Sequence, residues 1–545
     1  MTKRAGTPAK SPSGDGAAAS SQPETSHSGL VLTTLILAAA VANLNLAVAN
    51  VALPKIAQSF DASQTALNLV AVGYSLGLAS SVLYLGAVGD RYGRKLMLVV
   101  GTALAIPASL LAGFAPTMGV LFAARLFGGL AAGMAFPTTL ALITALWSGP
   151  ARTKAIALWS GVGGSMSALG QLIAGILLVY FKWGSVFLIT VPLAAVAAFA
   201  AWKLIPSHVN ETTEPVDNLG GILSVLFVAA LVLSLNFVSL PATRVAALGL
   251  MGVAFALCVA FVMRQKRAAS PLFDLKVAGR RLFWVAACAG IIVFGTLMAA
   301  LFIGQQFLQD ILGYSSLQAG FSIVPAAVCL VAAAPISARL VETRGSRFTL
   351  VTGYLLCLVG FLVMLLFWKQ GASYLAIGAA YALVGTGVGL AGTPASHSLT
   401  GSVPVRKAGM ASGTADLQRD LGGAIMQSIL GSLLAIGYTK SMTAAVSSAP
   451  ASVGASTTVE TAQSLEKSFA GAMSVAEKYP QYASAISKDA ATAFLAGADA
   501  AYVAGIFAII VGAALVYFAF PKKDGEAELL GKYHAEDTEP TAAPS

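Results

Sequence analysis

Four charged side chains interrupt stretches that are otherwise apolar: Arg125, Asp416, Arg419 and Asp420. In a helix Asp416 and Asp420 share a face, and Asp416 and Arg419 are spaced so that they can pair. Two carboxylates sharing one guanidinium leave a negative charge in excess, which suits a group that takes up and releases protons. The competing reading is a static ion-pair network joining helices. Ionisable residues inside apolar spans are costly and default to function; for Arg125 the competing reading is a structural arginine bonded to helix-end carbonyls. Uncharged polar groups punctuate the same stretches: Asn43, Asn45, Asn68, Gln171, Asn236, Gln305 and Gln306, with Tyr74, Phe136, Phe302 and Tyr381 as aromatic companions. Some are expected to line a cavity and others to bond helix to helix or fill core. Enzyme chemistry has no foothold. No nucleophile–base pair stands out, and Cys258, Cys288, Cys329 and Cys357 have neither CxxC spacing nor histidine neighbours. Gly387-Val-Gly389-Leu-Ala-Gly392 fits a nucleotide-loop pattern, but no strand–helix unit surrounds it. The expectation is no enzyme, no cofactor and no metal.

The elements that carry these residues are membrane spans. Of 545 residues, 57% are hydrophobic and 10% charged, against roughly 25% charged in a soluble domain. Runs of about 20 apolar residues are long enough to cross about 30 Å of hydrocarbon as helices. A spanning β-barrel would alternate apolar and polar residues, and these runs do not. Spans are expected near 30–53, 66–89, 96–114, 118–146, 154–180, 184–204, 218–239, 244–263, 283–308, 317–340, 348–368, 372–395, 409–437 and 495–520. At about 1.5 Å per residue from Gly409, Asp420 lies about 16 Å deep, near the midplane. Arg125 lies roughly two turns from the outer end of the fourth span. Residues 1–29 read as a disordered tail, and the polar stretch after Phe520 as a second tail ending in disorder. Residues 438–494 read as a long outer loop with short surface helices.

Positive charge chooses the orientation. Arg91, Arg94, Lys95, Arg264, Arg280, Arg281, Arg344, Arg347, Arg406 and Lys407 fall in loops on the tail side, whereas the opposite loops hold little beyond Lys55, Lys182, Arg244 and Lys369. The asymmetry places both termini in the cytoplasm of a multi-pass protein of the cell membrane. It also absorbs the net charge of +10, so nucleic acid is not an expected partner. Asn210-Glu-Thr212 is a chance glycosylation sequon on the cytoplasmic side.

Gly86-Ala-Val-Gly-Asp90-Arg91-Tyr-Gly93-Arg94-Lys95 follows the second span. Gly86 permits close helix approach, and Asp90 can meet a helix N-terminus or a basic side chain. An imperfect copy, Glu342-Thr-Arg-Gly345-Ser-Arg347, follows the tenth, and Leu-Val and Gly recur after both, at Leu98, Val99 and Gly101 and at Leu350, Val351 and Gly353. Equivalent positions on one side of the bilayer suit a parallel repeat of six helices, which leaves the seventh and eighth spans as an inserted pair.

The first of these loops resembles the GxLaDrxGrk motif of the major facilitator superfamily. Arg125-Leu-Phe-Gly-Gly129, with Ala131 and Gly133, is similar to that family's RxxqGxgaa motif. Asn50-Val-Ala-Leu-Pro54, Asp217-Asn-Leu-Gly220, the segment from Phe307 to Gly320, and Arg419-Asp-Leu-Gly422-Gly423 resemble the fourteen-helix drug:proton antiporter branch, in order and over nearly the whole chain. Asn45 stands where that branch usually carries an acid, and Gly170-Gln171-Leu-Ile-Ala174-Gly175 lacks the proline of its fifth-span signature. Trp183-Gly-Ser-Val-Phe187-Leu-Ile-Thr190-Val-Pro192 is a third departure, from WRWxFLxNxP.

The resemblance implies an all-α major facilitator fold of two six-helix bundles plus two extra central helices. The expected division is a tail over 1–29, bundles over 30–204 and 283–520, a cytoplasmic loop, helix pair and linker over 205–282, and a tail over 521–545. It further implies alternating access to a site between the bundles, with Arg125 taking part in coupling and the loops at Asp90 and Glu342 acting as a cytoplasmic gate. The function implied is proton-coupled efflux of small amphipathic or hydrophobic compounds by a monomer in the lipid bilayer. Asp416, Arg419 and Asp420 would replace the missing first-span acid. The alternatives are a transporter of a specific metabolite, lipid or antibiotic, with or without proton coupling, and a non-transporting membrane sensor.

Overall fold

The computed structural model describes residues 28–60, 62, 64–207, 214–238, 243–448 and 459–538. Expectations for residues 1–27, the sequon at Asn210, the middle of the 438–494 loop and residues 539–545 fall outside them.

An apolar solvent offers backbone groups no hydrogen bonds, so each apolar run closes its own as a helix. Fourteen helices are long and apolar enough to cross a bilayer. They are α1 Ser28–Phe60, α2 Gln64–Tyr92, α3 Arg94–Gly113, α4 Met118–Leu146, α5 Gly149–Tyr180, α6 Ser185–Leu204, α7 Asn218–Phe237 and α8 Arg244–Arg267, then α9 Arg281–Gln306, α10 Val324–Arg344, α11 Ser346–Phe367, α12 Tyr374–Gly401, α13 Ala408–Ser447 and α14 Ala483–Ala519. α9 runs on through a widened turn at Phe307–Ile311. The largest departures from the expected bounds are at α13, which continues past residue 437, and α14, which starts well before 495. Their outer ends are covered by short helices Val459–Lys467 and Phe469–Lys478: Tyr438 Oη donates to Leu465 O (3.0 Å), and Phe469 meets the Phe494 ring edge-on. Protein contact sustains helix there where hydropathy alone stops.

Small residues set the helix spacing. A Cβ on Gly129 of α4 would sit 2.1 Å from Tyr74 O of α2. The duplicated motif repeats such a contact. A Cβ on Gly101 of α3 would lie 2.6 Å from Ala131 O of α4, and one on Gly353 of α11 would lie 2.5 Å from Gly387 O of α12. Gly93 and Gly345 both take positive φ, at 119° and 87°, turning the chain between α2 and α3 and between α10 and α11. The repeat is therefore a repeat of structure.

Within the first bundle α4 packs on α2 and α3, and α1 on α5. In the second, α13 packs on α9 and α14, and α12 on α10 and α11. The bundles meet through α5 against α10 and α2 against α13. The inserted α7 and α8 pack on each other, and α7 lies on α2 and reaches α13, so the pair flanks one seam.

The segment after Phe520 contains a further helix, α15 Lys523–Thr538, where an irregular tail was expected. It lies across the second bundle. Glu526 accepts hydrogen bonds from Ser346 N (3.1 Å), Ser346 Oγ (2.6 Å) and Ser398 Oγ (3.2 Å), satisfying the N-terminus of α11. Asp537 accepts two bonds from Arg280, whose guanidinium lies 4.6 Å from the Tyr533 ring centre.

Burial raises the Glu526 carboxyl above its ordinary value, outweighing the bonds from Ser346 and Ser398 that lower it. The folded state then holds this proton more tightly than the unfolded chain. The stability it contributes is full below the ordinary glutamate range and is lost as pH rises through the raised value. Thermal unfolding in detergent should show Glu526→Gln flattening the decline of Tm with rising pH across that window.

Candidate functional site

At one end of the molecule the bundles are tied together. Arg94 at the start of α3 donates Nε and Nη2 to Asp90 Oδ1 (3.0 and 2.8 Å), and the same Nη2 donates to Val405 O (2.8 Å). Asp90 Oδ2 accepts the Gly409 amide at the N-terminus of α13 (2.8 Å). Both charged residues are buried. Gly86 and Gly409 let the backbones touch, since a Cβ on Gly409 would lie 2.4 Å from Gly86 O. A carboxylate at a helix N-terminus meets unpaired amides and the positive end of the dipole, so Asp90 is a latch between α2 and α13. Arg91 lies over the Tyr92 ring (6.0 Å), and Lys95 sits on the first turn of α3. The 268–280 linker joins in through Lys407 Nζ to Asp274 Oδ2 (2.7 Å).

The second loop does not reproduce this contact. Arg347 is stacked on Tyr517 of α14 (4.6 Å), Gly345 abuts Lys523, and Glu342 Oε1 is buried without a hydrogen-bond partner among the described residues. The α14–α15 segment occupies the space around the loop, so the expectation that Glu342, Gly345 and Arg347 share in the gate is corrected: the cross-bundle bond belongs to the first copy.

Away from the latch, a cavity of about 550 Å³ opens between the bundles. Its walls are Leu46 to Leu53 of α1, Gln171 of α5, Met298 to Gln306 of α9 with Gln309, Gly320, and Gln427 of α13. Gln171, Phe302, Gln305 and Gln306, all candidates from the sequence, are thus brought together on one cavity. On α1, α5 and α9 the lining residues lie in the halves remote from Asp90, and Gln427 sits at the middle of α13, so the molecule is closed at the latch and open toward the other end. Gln309 and Gln427 were missed; both are amides in apolar runs, the signal that had identified their neighbours.

A smaller pocket adjoins the cavity through Leu46 and Met298 and carries Asn43, Phe136, Phe294, Arg419 and Asp420. Arg419 does not pair with its neighbouring acids. Its guanidinium carbon lies 4.4 Å from the Trp159 ring centre, 4.8 Å from Phe294 and 5.7 Å from Phe136. Its Nη2 reaches Ser160 Oγ (3.4 Å), and its Nε has no hydrogen-bond partner among the described residues. Helical spacing allowed Asp416 to meet Arg419, but the rings draw the guanidinium away. Asp416 keeps both oxygens without hydrogen-bond partners among the described residues, as does Oδ2 of Asp420. Ser412 Oγ is likewise unpaired. Ser412, Asp416 and Asp420 are spaced four apart and form a row on α13 from the latch to the pocket.

Arg125 belongs to a separate site inside the first bundle. Nη1 donates to Asn45 O (2.6 Å), the guanidinium lies 4.8 Å from the Tyr74 ring centre, and Nε and Nη2 have no hydrogen-bond partner among the described residues. The Asn45 side chain accepts weakly from Thr190 Oγ1 and Ser109 Oγ (3.3 and 3.4 Å). Arg125, Asn45 and Tyr74 line a void of about 10 Å³, apart from the large cavity. Asn45 and Tyr74 are thus corrected from cavity wall to core, because the Asn45 side chain turns toward α3 and α6 and the Tyr74 ring toward Arg125 of α4. Asn236 is corrected too: it lies on the flanking α7 and donates to Val232 O in its own helix (2.8 Å). Tyr381 packs on Trp368 in the core of the second bundle.

The sequence profile of the Major Facilitator Superfamily matches residues 35–427. The multidrug efflux pump LfrA of Mycolicibacterium smegmatis is 30% identical over 492 residues, 90% of this chain and 95% of that one. The methyl viologen resistance protein SmvA of Salmonella typhimurium is 31% identical over 339 residues, 61% of this chain and 68% of that one. Among solved structures, the human organic anion transporter MFSD10 has a TM-score of 0.58 at 15% identity, covering 90% of this chain and 99% of that one, a likeness of fold.

Removing one partner of a buried charge pair costs about 3–5 kcal/mol. Asp90→Ala should therefore shift the population toward opening at the latch. A cysteine placed at Val405 should gain maleimide reactivity at least tenfold in that variant.

Proposed function

The chain belongs to the Major Facilitator Superfamily, and on that premise we propose that it exports small amphipathic or hydrophobic compounds in exchange for protons, by alternating access. It is a multi-pass membrane transporter rather than an enzyme. The observation that carries the proposal is the cavity of about 550 Å³ between two bundles tied at their far end by Asp90 and Gly409. Alternating access requires such a state and its mirror image, and the latch is the kind of contact whose release would allow the exchange. The names of LfrA and SmvA, given for multidrug efflux and for methyl viologen resistance, support an exporter of foreign compounds.

The loops at the latch end carry most of the Arg and Lys, so that end faces the cytoplasm, both termini with it, in the cell membrane. The cavity then faces outward, in the state that releases substrate and receives protons. One chain encloses the whole cavity, which suits a monomer. For the proton, the row Asp420, Asp416 and Ser412 is the best route. It starts in a pocket adjoining the cavity, its carboxylates are unpaired, and it ends beside Gly409, where the latch bond is made. Uptake by Asp420 would neutralise charge on the helix that carries the latch.

In proteoliposomes with an imposed pH gradient, Asp420→Asn should abolish proton-driven transport and Asp416→Asn should reduce it strongly. Full transport by Asp420→Asn would eliminate this route. Transport by the wild type that ignores the gradient would instead support an uncoupled transporter, the reading favoured by the lack of an ion pair to Arg125 among the described residues.

A further inference from the structure

We propose that Phe136, Trp159 and Phe294 form a cage for the cationic group of a substrate, and that Arg419 occupies it as a tethered stand-in until such a substrate arrives.

The geometry is that of a cation site already filled. Three rings from α4, α5 and α9 stand 4.4 to 5.7 Å from one guanidinium carbon. Ring faces attract a cation through their quadrupoles, most strongly where water is excluded. The walls are built in advance. Trp159 is fully buried, donates Nε1 to Thr139 Oγ1 (2.8 Å), and stacks on Phe136 with centroids 5.6 Å apart. The occupant is held loosely by comparison, with one long hydrogen bond to Ser160 and none at Nε. It also has another place to go: on its own helix Asp416 stands one turn away and Asp420 is the next residue, and among the described residues both oxygens of Asp416 and Oδ2 of Asp420 have no hydrogen-bond partner. A ligand cation entering the rings would send the guanidinium to these acids, leaving the charge of the site balanced. The pocket that holds Phe136, Phe294 and Arg419 shares Leu46 and Met298 with the walls of the large cavity, so the cage lies beside the cavity. The ligand class is a permanently charged, delocalised organic cation. Neutral compounds would use the cavity alone.

The inference rests on the transport reading but is tested as binding. The full chain in nanodiscs is titrated with tetraphenylphosphonium and with neutral triphenylphosphine oxide. A cation–π interaction of about 0.5–2 kcal/mol corresponds to roughly a 2- to 30-fold change in affinity. Arg419→Ala should bind tetraphenylphosphonium about tenfold more tightly, having lost its competitor. Trp159→Leu should bind it about tenfold more weakly, with less than about a threefold change for the neutral ligand, and Trp159→Phe should restore most of the loss. Phe294→Leu serves where Trp159→Leu does not fold, the neutral ligand reporting the fold of each. Equal losses for charged and neutral ligands, weaker cation binding by Arg419→Ala, or no cation binding by either wild type or Arg419→Ala would overturn the cage. Cation binding with the expected pattern but no flux in proteoliposomes would overturn the transport reading and leave the cage standing.

Discussion

The bond from the Gly409 amide to the Asp90 carboxylate fixes everything else about this conformation. It joins α2 of one bundle to α13 of the other at the α13 N-terminus, where amides lack helical partners. Arg94 keeps the carboxylate in place and adds its own bond across the seam, to Val405 O. Two glycines, Gly86 and Gly409, make the approach possible. With this end drawn together, the other ends of α1, α5, α9 and α13 stand apart, and the cavity is the space between them.

The arginines within α4 and α13, Arg125 buried and Arg419 half-buried, are both held by aromatic rings and oxygen atoms, with no carboxylate in ion-pair contact among the described residues. Their surroundings give them different capacities. Arg125 is enclosed by Asn45, Tyr74 and Phe187 around a void about large enough for one water. Arg419 lies in a pocket adjoining the cavity, with two acids on its own helix. A cation that has somewhere to move, and a neighbouring space from which it can be displaced, can take part in an exchange. One sealed in a core maintains its surroundings.

α13 is the element where these features meet. It donates the latch amide at Gly409, carries Ser412, Asp416 and Asp420 in a row, offers Gln427 to the cavity and packs on α9 and α14. A change of charge at its middle acts on the same rigid body as the bond at its end. The inserted pair adds a constraint beside it, because α7 touches both α2 and α13 and the linker after α8 holds Lys407 through Asp274.

Much of this was legible in the chain itself, for physical reasons. Hydrocarbon leaves the backbone one kind of solution, so apolar runs announced all fourteen helices, and the loop glycines at 93 and 345 announced the repeat because few other residues accept their backbone angles. Amides in apolar runs pointed to the cavity at Gln171, Gln305 and Gln306. What spacing along one helix cannot encode is the neighbour on another. Asp416 and Arg419 were in register to pair, yet the rings of α4, α5 and α9 took the guanidinium. Asn45 and Tyr74 were polar enough for a cavity, yet their azimuth turned them into the first bundle, Asn45 to α3 and α6 and Tyr74 to α4. Glu342 and Arg347 copied a motif whose partners the second half does not supply. The sequence determined the helices and their small-residue contacts, since those follow from solvent and local geometry. Tertiary structure alone decided which charges meet, because that depends on the rotation of each helix against the rest.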